Sequence, residues 1–196
     1  MTVVAQEGRT RMLVERLAET RIGETFNQYR SPLLRERLRV YLDARRDAPL
    51  VLVGEAAGYR GARVSGIPFT SERQLSGQGP AEATATIVHR VLAELGLEED
   101  VLLWNVVPTH PGTLTSNRRP TRAEVLGGLP FLEEVARGRT AIPVGRVARG
   151  VLGGPYVRHP AHGGAAAFRT GLVLSCAGRA SGRAGRATST AAGPSR

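Results

Sequence analysis

The chain contains no lysine: all 27 of its basic residues are arginine. This excludes a lysine Schiff base, the covalent step of lyase-type chemistry on sugars. Cys176 is the one cysteine in 196 residues, so neither a disulfide framework nor a multi-cysteine zinc or iron–sulfur site can be built. Apolar runs are short, far below the ~18 residues of a membrane span. The start, MTVVAQEGRTRM, has no apolar core before its arginines, so no secretory leader is expected. These absences predict a cytoplasmic monomer that needs no metal or other cofactor and has no membrane partner. Acid is missing too, but only locally. Residues 1–134 hold 17 arginines and all 17 acids, whereas residues 135–196 hold ten arginines and no acid. The whole formal charge of +10 therefore sits in the C-terminal third. A one-sided positive field suits a polyanion such as a nucleic-acid backbone, although a generally basic, solvated surface has the same composition.

What is present reads as alternating strands and helices. Leu13, Leu17 and Ala18 have helical spacing within Arg11–Ile22, and Leu34, Leu38, Tyr41 and Leu42 line one face of Pro32–Ala44. Leu50–Gly54 is a buried-type strand, Ala81–Leu95 a core-facing helix and Val101–Asn105 a second strand. Thr121-Arg-Ala-Glu124 has the form of a capping box opening a helix, which Pro130 is expected to interrupt. Thr140–Val144 and Pro155–Arg158 are the third and fourth strands, with helices Arg146–Leu152 and Ala165–Leu172 after them. The pattern predicts a three-layer α/β/α domain over residues 1–172 with a central four-stranded, mostly parallel sheet. Residues 173–196 are almost all Ala, Gly, Ser, Thr, Arg and Pro beyond Ser175, and are expected to form a disordered basic tail.

Right-handed crossovers place the carboxyl ends of parallel strands on one rim. That rule gathers Glu55, Asn105, Gly145 and His159 at one edge, although about 100 residues separate the first from the last. The Gly-rich stretch after the first strand, GEAAGYRGARVSGIPFTSE, either forms a ligand loop or only turns the chain. It has no G-x-G-x-x-G and the chain has no P-loop, which argues against a nucleotide-binding fold.

Four segments, in order, resemble the uracil-DNA glycosylase superfamily over about residues 31–172. They are VLVGEAAGYRG…SGIPFTSE, WNVVPTHPGTLTSNRRPTRAEV, IPVGRVARGVL and VRHPAHGGAAAF. The first is most similar to the GEAPG form of the iron–sulfur branch, but the four cluster cysteines of that branch are missing here. The resemblance implies a monofunctional glycosylase that hydrolyses the N-glycosidic bond of a uracil flipped out of DNA. Glu55 and His159 would be catalytic, the acid orienting or activating water and the histidine stabilising the leaving base. Gly54, Ala56, Phe69 and Asn105 would bind the base, with Phe69 stacking on it and the Asn105 amide reading its edge. Arg118, Arg119, Arg158, His162, Gly163 and Gly164 would meet DNA, the last three in the loop that the family inserts into the duplex. His110 and His162 are rivals of His159 for the catalytic role.

Three positions depart from the branch pattern. Ala57 replaces the proline of GEAPG, Ala161 replaces the serine after His-Pro, and Gly61 falls near the branch's glutamate that helps exclude the thymine methyl. Two alternatives therefore stand beside the uracil reading. One is excision of another deaminated base, hypoxanthine or xanthine; the other is a catalytically weak protein of the same fold that binds damaged or single-stranded DNA.

Overall fold

A computed structural model describes residues 3–184. Helix α1 (Val3–Glu19) is followed by a short 3-10 turn at Gln28–Arg30 and helix α2 (Pro32–Ala44). Strand β1 (Leu50–Ala56) leads into two short helices, α3 (Ala62–Ser65) and α4 (Glu72–Ser76), inside the Gly-rich stretch. Helix α5 (Ala83–Leu95), strand β2 (Val101–Val107), helix α6 (Arg122–Ala136), strand β3 (Thr140–Pro143), helix α7 (Arg146–Leu152) and helix α8 (Pro160–Ala184) complete the order.

The strands form a parallel sheet in the order β2-β1-β3, with Gly54 opposite Asn105 and Val53 opposite Pro143. Side chains alternate across it with the period of two expected of strands. Val51, Val53, Leu102, Trp104 and Val106 face a core with α1, α2 and α6, while Leu52, Val101 and Leu103 face a second core with α5 and α8. Both faces are covered, which explains why VLV and VLLW are uninterrupted apolar runs.

Three expectations need correction. The sheet has three strands, not four: Pro155–Arg158 contributes one parallel bridge, Val144 to Val157. Val157 donates to Pro143 O and accepts from Gly145 N, both at 2.9 Å. Gly153-Gly154-Pro155 on one side and Pro160 on the other leave no room for a longer ladder, because proline brings no N–H donor. Next, α6 runs straight through Pro130. Burial of Phe131, Leu132 and Val135 beyond the proline holds the helix on β2, and one lost backbone bond does not offset it. Finally, helix does not stop at Leu172. After a kink at Gly164, α8 continues to Ala184, packing on α5 with Phe168 and Leu172 fully buried. Of the expected basic tail, residues 173–184 are helical, and residues 185–196 lie outside the described residues.

Candidate active site at the strand ends

Gly54 is a tightly packed point of the rim. A Cβ there would lie 2.3 Å from Cζ of Phe69 and 2.7 Å from Oδ1 of Asn105. Only a bare glycine lets the phenyl ring and the amide both come this close to the backbone of β1, and the place where the two meet is the candidate recess. Asn105 is 3% exposed and lies two residues before the end of β2, opposite Gly54, so the strand runs beyond the expected Val101–Asn105 to Val107.

Phe69 has φ of +52°, the sole positive φ of a non-glycine among the described residues. Holding a bulky residue there costs ~1–3 kcal/mol, and such strain persists only where the surroundings impose it. Here they do. The Ser65 hydroxyl bonds Thr70 O at 2.7 Å, Tyr29 donates its hydroxyl to Gly66 O at 3.1 Å, and Thr70 Oγ1 meets Nε2 of His89 at 3.0 Å. The ring itself joins the α5–α8 core with 8% exposure. Ala56, the last residue of β1, is half-buried beside this recess.

Glu55 is half-buried and makes no hydrogen bond or ion pair among the described residues. Burial raises its pKa, while the neighbouring Arg119, and after it His162, act in the opposite direction. The acid is thus desolvated, yet faces two groups that favour its ionised form. His159 follows the Val157 bridge and is half-buried. Burial, then repulsion from His162, lowers its pKa, so the ring is held neutral. Its Nδ1 accepts the Ala161 N–H at 3.2 Å, which leaves the proton on Nε2 as a free donor. The two histidine rings are 5.8 Å apart. Glu55, Arg119, His159 and His162 are thereby gathered at the rim from three distant segments.

The remaining predicted positions divide. Arg158 is exposed, and its side chain packs beside Gly163, whose added Cβ would lie 3.3 Å from Cβ of Arg158. Gly164 has φ of +68° and marks the kink. Arg118 turns away from the rim to Glu124, donating through both terminal nitrogens of its guanidinium. Glu124 is 1% exposed, also closes the Thr121 capping box, and is held at a pKa of about 2, mainly by Arg118. His110, the other rival, is fully buried with Nδ1 2.7 Å from Ala57 O and Nε2 2.8 Å from Thr113 O. Both its nitrogens are engaged in bracing the loop behind Glu55.

The family model described as the Uracil DNA glycosylase superfamily matches residues 42–184. The chain belongs to the uracil DNA glycosylase superfamily. No curated protein matches it. The superfamily match takes in every strand of the sheet and all of the rim residues just described, and it extends through the helical end of α8. No helix among the described residues is long and apolar enough to cross a membrane.

One residue at this superfamily site gave no signal in the sequence. Glu82, just before α5, lays its carboxyl group over the turn behind Glu55. A Cβ on Gly58 would lie 2.3 Å from its Oε1, and one on Gly61 would lie 2.2 Å from its Oε2. Burial raises its pKa, and although the Glu82 main-chain carbonyl accepts from Thr86 N and Oγ1, its carboxylate has no hydrogen bond or ion pair among the described residues. Only the two bare glycines admit the group, a dependence that two distant segments reveal only in three dimensions. By contrast, a depression of about 390 Å³ beside Pro49, Leu102 and Arg139 opens at the amino ends of the strands. Arg139 there is bonded to the carbonyls of Ala48, Val135 and Arg46, and the hollow lies at the opposite end of the strands from the rim.

Proposed function

We propose that the chain is a monofunctional DNA glycosylase that hydrolyses the N-glycosidic bond of uracil extruded from DNA, acting as a monomer. The observation that carries this reading is the pairing of an unpartnered, half-buried Glu55 with a neutral His159 that presents Nε2–H at the same rim. Extrusion costs a few kcal/mol of stacking and pairing, and the recess beside Gly54 returns part of it through contact with Phe69, ~1–3 kcal/mol for a base on an aromatic ring. The Asn105 amide offers one donor and one acceptor to the edge of the base. As the bond breaks, negative charge grows on the departing uracil and positive charge on the sugar. His159 donates a hydrogen bond to the developing oxyanion, and ionised Glu55 faces the cationic sugar. Water then adds to the anomeric carbon and passes its proton to Glu55, completing hydrolysis. Arg119 and Arg158 contact the phosphates, which gives position without sequence preference.

Glu82 bears on selectivity. The branch glutamate that helps exclude the thymine methyl falls near Gly61, and the Glu82 carboxyl lies over that glycine. In this reading α5 supplies, from elsewhere in the sequence, the acid that the first motif lacks. The test is a set of end-labelled oligonucleotides carrying uracil, hypoxanthine, xanthine or a thymine mispair, incubated and then treated with alkali. Strand breaks at uracil and not at thymine are expected. Breaks only at the deaminated purines would move the substrate to those bases, and binding with no break at any base would remove the enzymatic reading.

A further inference from the structure

A base that leaves a duplex opens a gap in the stack, and proteins that kink or unstack DNA commonly press an apolar side chain into it. The segment behind His159 has nothing suited to this. It reads Ala161-His-Gly-Gly-Ala-Ala166, and it is wound into a helical turn that kinks at Gly164. The loop between β2 and α6 has what that segment lacks. Leu114 is 72% exposed, the most exposed of the large apolar side chains among the described residues.

Single exposed leucines are common and by themselves mean nothing. This one differs in how it is presented. It stands at the tip of a small hairpin in which Gly112 and Asn117 pair antiparallel. Thr113 N donates to Ser116 O at 3.1 Å, the two hydroxyls of Thr113 and Ser116 meet at 2.8 Å, and Thr115 N reaches Thr113 Oγ1 at 3.3 Å. The base of the hairpin is tied to the loop behind Glu55. The His110 ring spans Ala57 O and Thr113 O, and Asn117 Oδ1 accepts the Tyr59 N–H at 2.9 Å. Two residues past Asn117, Arg119 acts on Glu55 itself. A hydrogen-bonded tip carrying a bare leucine is thus anchored at its base to the loop that follows Glu55.

We infer that Leu114 is the wedge that enters the duplex stack and keeps the extruded base from returning. The inference rests on the glycosylase reading. It assigns the insertion to the β2–α6 hairpin, in place of the His162–Gly164 loop that the family resemblance implies. The wedge acts only where there is a stack to open, which gives it a distinctive readout.

Leu114→Ala and the conservative Leu114→Met are compared with the parent under single turnover, on uracil in a duplex and on the same strand alone. Burying a leucine is worth about ten- to a hundredfold in an equilibrium constant. Leu114→Ala should therefore slow duplex excision by ~10–100-fold and single-strand excision by less than about twofold, with Leu114→Met recovering most of the loss. Equal loss on both substrates, or no loss on the duplex, overturns the inference. If the parent excises nothing, the glycosylase reading has failed, and 2-aminopurine beside the uracil judges the wedge separately. A fluorescence rise on parent binding that Leu114→Ala abolishes supports the wedge. A rise that survives the substitution, or no rise with the parent, overturns it.

Discussion

Gly54→Ala is the most informative single change, because it adds one methyl group to the recess and nothing else. The backbone of Gly54 lies in β1 and suits any L-residue, so the effect is purely steric. The new Cβ would start 2.3 Å from Phe69 Cζ, where carbon atoms in contact rest ~3.5–4.0 Å apart, so something must retreat by more than about 1 Å. The Gly54–Asn105 ladder cannot open without losing its backbone bonds, so either the ring or the amide must move. Overpacking of this kind costs ~1–3 kcal/mol, or roughly 2–12 °C in Tm for a chain of this size. A misplacement of about 1 Å at a reacting centre costs ~10²-fold in rate. Gly150→Ala is the matched control: nothing lies within 4 Å of its added Cβ, and it sits within α7. It should stabilise by roughly 0.5–1 kcal/mol and leave the rate alone. Thermal melts, and single-turnover excision run well below the lower Tm, measure the pair. If Gly54→Ala excises uracil within about threefold of the parent, the base does not enter beside Phe69 and Asn105.

Two further outcomes follow from the charges. Glu55 must be ionised to take a proton, and burial holds its pKa above the ordinary value, so the rate should fall as pH drops through that raised pKa. Arg119→Met removes a charge that opposes the rise, so the acidic limb of the pH–rate profile should move to higher pH; an unmoved limb would separate Arg119 from Glu55. Glu124, bonded to Arg118, has its pKa lowered from 4.5 to about 2. Its stabilisation is therefore fully present above pH 4.5 and lost as pH falls from there towards about 2. Glu124→Gln should cost ~1.5–3 kcal/mol in urea unfolding at pH 7 and much less at pH 2, and an equal cost at both values would contradict the ion pair.

The strands that carry the site were legible because parallel strands buried on both faces must be continuous apolar runs. VLVGE and VLLWN each carry a polar residue near the carboxyl end of such a run, although β1 continues to Ala56 and β2 to Val107, and the Thr121–Glu124 box opens α6 as its residue types require. The failures have physical causes as well. Helix-breaking proline was overridden at Pro130 by burial on both sides, a tertiary effect that local propensity does not contain. The Ala- and Gly-rich end looked too polar to order, yet Phe168 and Leu172 anchor it to α5 and the helix runs on. Arg118 is expected from the resemblance to meet DNA, and its engagement with Glu124, six residues on, emerges only once α6 packs. Glu82 and the strain at Phe69 depend on contacts between segments distant in the chain, and no local pattern announces them.

His159→Ala asks whether Glu55, Asn105 and His159 act together on one extruded base. Its removal takes away the Nε2–H donor without filling the recess, so DNA binding measured by anisotropy should stay within a few-fold of the parent. Single-turnover excision of uracil should fall by ~10²–10³-fold, the loss typical of one oxyanion donor. An excision rate within tenfold of the parent, with binding intact, would contradict the account.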